Sequence, residues 1–178
     1  MDLPSRILVV VYSRSETTAE LAGRLAAELD GDYERLHEVA LTRRAGVTGF
    51  LRSILDVIRK CPAHLQPMTH SLSDYDVVLV GTPVWAGRAS TPVATWLEQN
   101  WHGIRTTAFF CTMGSRGSED TFLQMQQLAR SRPIATCAIS ARDLERDAAV
   151  EKVACFVLAI KDALAARARG AQDARTPL

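Results

Sequence analysis

The sequence predicts an α/β fold: a doubly wound, five-stranded parallel sheet in a three-layer α/β/α sandwich. Three observations carry this. Short apolar, β-branched runs alternate along the chain with segments of helical period. Three of those runs stop abruptly in polar loops, as buried parallel strands do at their carboxyl ends. No internal repeat and no glycine- or proline-rich linker divides the 178 residues, so the chain reads as a single domain, 1–178, with a frayed tail from Ala168.

The first strand begins at Ile7, and its apolar run ILVVV breaks into Tyr12-Ser13-Arg14-Ser15-Glu16-Thr17-Thr18. A helix starts there, near Thr17, so its unpaired N–H groups and positive dipole end face the loop and suit an anion. Neither G-x-x-x-x-G-K-[ST] nor G-x-G-x-x-G is present, which removes the main support for a nucleoside triphosphate or dinucleotide. Leu21, Leu25 and Leu29 form the buried stripe of this helix, Thr17 and Glu20 have capping-box spacing, and Asp30-Gly31 offers a left-handed glycine cap.

Tyr33 to Leu41 alternates loosely, as an edge strand does. Gly46 to Lys60 is an amphipathic insertion with Phe50, Leu51, Ile54, Leu55 and Ile58 on one face, ended by Cys61-Pro62. Ala63 to Ser73 has no period and reads as irregular loop.

Tyr75 to Val80 is the next apolar strand, and it breaks into the loop Gly81 to Arg88. Thr91 as N-cap and Pro92 at the first helical position open a helix through about Asn100. Thr106 to Cys111 is the fourth strand, followed by the loop Thr112 to Gly117. Ser118 caps a helix with Glu119 and Asp120 in its first turn. Pro133 to Ile139 supplies the fifth strand. Asp147 to about Arg167 is a closing helix with Val150, Val153, Val157, Leu158 and Leu164 toward the core. In such sheets ligands bind beyond the carboxyl ends of the strands, where the three polar loops converge.

Composition narrows the function. Hydrophobic content of 47%, charged content of 23% and a formal charge of +1 are ordinary, with no basic surplus for nucleic acid. No run approaches a membrane span, and MDLPSR enters a strand with no signal-peptide h-region, which predicts a cytoplasmic protein. Cys61, Cys111, Cys137 and Cys155 form no C-x-x-C, and the three in apolar runs read as small core hydrophobes. His37, His64, His70 and His102 have no metal-ligand spacing.

Three stretches resemble the flavodoxin family: YSRSETTAELA at Tyr12 to Ala22, YDVVLVGTPVWAGRASTPV at Tyr75 to Val93, and FFCTMGSRGSEDTF at Phe109 to Phe122. They come in the family's order, and G-[ST]-P-V-W is the most specific motif. The resemblance implies the strand order 2-1-3-4-5 and bound FMN, both characteristic of flavodoxin-like doubly wound sheets. It implies that Ser13, Arg14, Ser15, Glu16, Thr17 and Thr18 hold the phosphate. Pro83, Val84, Trp85, Ala86 and Gly87 would lie along the isoalloxazine, with Gly87 next to flavin N5, and Thr112, Met113, Gly114, Ser115, Arg116 and Gly117 would line its other side. Trp85 is either the aromatic at the ring or a core tryptophan.

Two departures stand out. Glu16 occupies a position where the family usually has glycine; its carboxylate either points outward or sits at the helix N-terminus in place of phosphate. Each loop also carries an arginine, Arg14, Arg88 or Arg116, either solvated or balancing the anions and tuning the flavin.

The resemblance implies an FMN-binding redox protein, an electron carrier or an NAD(P)H- or quinone-linked oxidoreductase, with no catalytic acid, base or nucleophile nominated. Its donor and acceptor are a small molecule or a redox protein, and homo-oligomerisation is open. The competing reading is a flavin-free binding or regulatory module in which Glu16 fills the phosphate site. A phosphatase is a third, from Cys111 and Arg116, but the C-x4-R spacing is one residue short of the cysteine-phosphatase loop.

Overall fold

The computed structural model describes residues 5–39 and 62–173; the insertion expected from Gly46 to Lys60, the end of the edge strand at Leu41 and Cys61 lie outside them. Strands β1 (Ile7–Val11), β2 (Asp32–Arg35), β3 (Val77–Trp85), β5 (Thr107–Met113) and β6 (Thr136–Ser140) pair in parallel, and a two-residue β4 (Arg88–Ala89) folds back antiparallel on β3. The order is β2-β1-β3-β5-β6, the expected 2-1-3-4-5 once the hairpin strand is set aside.

Side-chain alternation explains the two helical layers. Val9, Val11, Leu79 and Phe110 point to one face and pack on α1 (Thr17–Leu29) and α5 (Ala148–Asp173). Leu8, Val10, Val78, Val80 and Phe109 point to the other, against α2 (Thr91–Asn100) and α3 (Ser118–Ala129). Central strands buried on both sides have no polar face to show, which is why they read as unbroken apolar runs.

Several boundaries differ from the sequence reading. The edge strand is short, ending at Arg35, with an isolated bridge between Glu38 and Leu65 beyond it. Strand β3 continues through Gly81-Thr82-Pro83-Val84-Trp85, where the sequence predicts a loop, and β5 takes in Thr112 and Met113. Pairing with β5 carries β3 on as far as Pro83↔Thr112. Partnership with β1 stops at Gly81, so Pro83 lies where one side of the strand is an edge and its missing N–H does least harm. Gly81 is required by packing, since a Cβ there would run into the Phe110 ring. Strand β6 is displaced C-terminally to Thr136–Ser140.

Helix caps shift by one residue. Glu16, with φ 65, precedes α1 and Thr17 is its first residue, so the Thr17–Glu20 box does not form. Ser90 precedes α2, leaving Pro92 inside its first turn, and Gly117 rather than Ser118 precedes α3. At the end of α1 it is Asp30 that turns left-handed, with φ 50; Gly31 serves close approach, as its Cβ would lie 3.0 Å from the Ile7 carbonyl oxygen.

Ser140 and Asp143 form a capping box opening a short helix, α4 (Ala141–Glu145), that the sequence reading does not contain. The closing helix α5 stays helical through Asp173, past the expected fraying at Ala168. Its core face is Val153, Phe156, Val157 and Ile160, with Leu164 packed against it, whereas Val150 and Leu158 are exposed. Cys111 and Cys137 are buried as expected, but Cys155 lies on the solvent side of α5.

Candidate functional site

The first loop leaves β1 at Tyr12, whose N–H still donates to the Gly81 carbonyl. Ser13 follows, only 6% exposed, and its Oγ is buried with no hydrogen-bond partner. An unpaired buried hydroxyl is uncommon because it forfeits its hydration, and each case asks for a ligand or a functional reason. Arg14 is half-buried and Ser15 and Glu16 are exposed, while Thr18 turns inward and meets Thr112 Oγ1 at 2.7 Å. That contact ties the first loop to the third.

Glu16 is held by Arg35, the last residue of β2. Arg35 Nη1 donates to Glu16 Oε2 at 2.8 Å, and Nη2 donates both to Glu16 Oε1 at 2.6 Å and to the Ser13 carbonyl at 3.1 Å. The hydrogen bonds from Arg35 keep the Glu16 carboxyl below the usual range, and those to Glu16 raise the guanidinium further. The carboxylate is thus turned toward β2, and α1 has no side-chain cap. Arg35 escapes a reading of the sequence, for nothing near it in the chain marks it. Only its register opposite Val11 brings it beside the loop that follows β1.

The second and third loops meet beside this. Ala86 and Gly87, with φ 50 and 73, make the turn between β3 and β4. Gly117 has φ 104, and a Cβ on it would lie 2.9 Å from Gly87 Cα and 3.1 Å from Val84 Cγ1. The third loop therefore approaches the second this closely only because Gly117 has no side chain. A cavity of about 560 Å³ opens there, lined by Val84, Ala86 and Gly87 of the second loop, the third loop from Gly114 to Gly117, and Asp120 in the first turn of α3. Trp85 is not in that lining. It is 8% exposed and meets Tyr12 edge-on at 5.9 Å, bridging the second loop to the first. Pro83, within β3, and Met113, at the end of β5, are half-buried.

The three arginines are placed differently. Arg116 lines the cavity, Arg88 is exposed at the start of β4 opposite Trp85, and Arg14 belongs to the first loop. Cys111 lies within β5, fully buried, and burial pushes its thiol up to about 12. A thiol so disfavoured as thiolate is no nucleophile, which disposes of the phosphatase reading. Among the described residues no group of three His, Cys, Asp or Glu could hold a metal, and no helix is long and apolar enough to cross a membrane.

This geometry defines a class: a doubly wound α/β domain whose first helix opens beside a buried, unpartnered hydroxyl and whose second and third loops enclose a cleft, both at the carboxyl edge of the sheet. Within that class the chain belongs to the flavodoxin family, whose model, described as Flavodoxin, matches residues 6–152. No curated protein matches the chain significantly.

Solved structures share the fold. A flavoprotein of Lactobacillus acidophilus, determined in complex with FMN, is 22% identical, with a TM-score of 0.67 over 80% of this chain and 97% of its own. Oxidised flavodoxin 1 of Bacillus cereus is 16% identical, with a TM-score of 0.53 over 89% and 98%. Rubredoxin oxygen:oxidoreductase of Desulfovibrio gigas is 14% identical, with a TM-score of 0.53 over 90% of this chain and 37% of that one.

Proposed function

We propose that this chain binds FMN and acts as a flavin redox protein, either as an electron carrier or as an NAD(P)H- or quinone-linked oxidoreductase. The observation that carries the reading is the Ser13 hydroxyl, buried and unpartnered beside the N-terminus of α1, where a phosphate oxygen would satisfy it. Family membership over residues 6–152 supports the identity of the guest.

In this reading Ser13 to Thr18 hold the phosphate through hydroxyls and backbone N–H groups. Pro83 to Gly87 and Thr112 to Gly117 flank the isoalloxazine, with Gly87 the residue whose backbone is free to turn next to N5. Arg116 faces the cavity, and Trp85, packed on Tyr12 outside the cavity lining, supports the second loop from behind. Bound FMN supplies reversible electron transfer, and the chain's own contribution is to bind, orient and desolvate it. A nearly neutral chain suits a small-molecule partner, or a protein partner that does not rely on an acidic docking surface.

The flavin-free module, with Glu16 in the phosphate site, loses its motive because that carboxylate is committed to Arg35. The test is titration of apo-protein with FMN, read by flavin fluorescence quenching and thermal shift. A protein that neither quenches FMN nor gains stability from it would overturn the reading.

A further inference from the structure

We propose that Arg35 is the positioning residue that lets this chain accept a phosphate monoester beside Glu16, and so sets its preference for the phosphorylated flavin over the phosphate-free one. The inference rests on the FMN reading. Glu16 precedes α1 with φ 65, a conformation that glycine adopts freely and longer side chains seldom do. Its carboxylate would otherwise stand at the helix's positive end, where a phosphate dianion competes for the same N–H groups and is repelled by the same charge.

Arg35 addresses both difficulties at once. Its two terminal nitrogens take the two carboxylate oxygens, turning the charge toward β2, and Nη2 also holds the Ser13 carbonyl at 3.1 Å. One guanidinium thus spans the loop from the carbonyl of Ser13, whose hydroxyl has no partner, to Glu16, whose backbone starts the helix. The grip needs a planar fork, since an ammonium cannot serve both carboxylate oxygens and the carbonyl in one geometry. Arg35 itself is anchored by the sheet, opposite Val11, so it acts on the loop from outside. A residue working in this way should affect the phosphate and leave the ring alone.

The experiment is equilibrium binding of FMN and of riboflavin, which lacks the phosphate, to apo-protein by fluorescence quenching. The variants are Arg35→Gln, Arg35→Lys, Glu16→Gly and the double variant Glu16→Gly/Arg35→Gln. Arg35→Gln should weaken FMN roughly tenfold or more and leave riboflavin unchanged, with Arg35→Lys intermediate. The FMN deficit should vanish in the double variant, where no carboxylate remains to be held.

Equal loss for both flavins, or a deficit that persists in the double variant, would overturn the proposal by making Arg35 a purely structural residue. FMN binding by Glu16→Gly but not by wild type would leave the flavin site standing and overturn the role given to Arg35. Failure of both to bind FMN would overturn the FMN reading and this inference with it.

Discussion

Arg35, at the end of the edge strand β2, and Glu16, in the loop between β1 and α1, are joined at two points, 2.8 Å from Nη1 to Oε2 and 2.6 Å from Nη2 to Oε1. The pair places a glutamate in a loop conformation suited to glycine, and it does so without drawing the carboxylate over the helix start.

The first prediction concerns acid. The hydrogen bonds from Arg35 lower the Glu16 carboxyl from its ordinary 4.5. A group whose folded-state value is depressed adds stability above its unfolded value and loses it as pH falls through the folded one. Wild type should therefore exceed Arg35→Gln in urea midpoint near neutrality, and the gap should narrow below about pH 4 to what the Ser13 carbonyl contact alone contributes. A gap independent of pH would count against the ion pair as its source.

Ser13→Ala should move stability and binding in opposite directions. Removing a buried, unpartnered hydroxyl should leave apo-protein equally stable or raise it by about 1 kcal/mol. FMN affinity should fall about tenfold, since one phosphate hydrogen bond is lost. Denaturant melts and FMN titration of the same variant check both signs; a destabilised apo-protein would mean that Ser13 has a structural partner.

Gly117→Ala tests the cleft. The new methyl would meet the Gly87 backbone at 2.9 Å in a residue with φ 104, so the two loops must part. Stability should drop by about 1–2 kcal/mol, and FMN and riboflavin should both bind more weakly, because the ring they share is what the cleft holds. Titration of both flavins measures it, and unchanged affinity would show that the cleft is not where the ring sits.

Gly81→Ala tests the core. Its Cβ would overlap the Phe110 ring, across the β3–β5 register. Destabilisation of about 3 kcal/mol or more is expected, with partial recovery when Phe110→Leu is added. Chemical denaturation of the single and double variants measures it, and additivity of the two effects would refute the clash.

Much of the fold is legible because it is written locally. The unbroken apolar run Leu8 to Val11, fully buried in the sheet, and its break at Tyr12-Ser13 announce a parallel strand and a loop at its carboxyl end. The motif from Gly81 to Trp85 is equally legible as a signature, yet its conformation is not. Proline and glycine suggest a loop, whereas pairing with β5 keeps the segment extended toward Trp85. Likewise Val150 and Leu158 are apolar enough for a core, but α5 docks with Phe156 and Ile160 inward.

The alternation of strands and helices, the three loops and their family can all be read from the chain alone, because each follows from residues near one another in it. What Glu16 does cannot. Its partner Arg35 comes from the next strand, and parallel pairing of β1 with β2 carries the tip of that strand to the loop following β1. An ion pair has no periodicity and no spacing rule, so only the packed sheet reveals that the one residue out of place in the first loop is already neutralised.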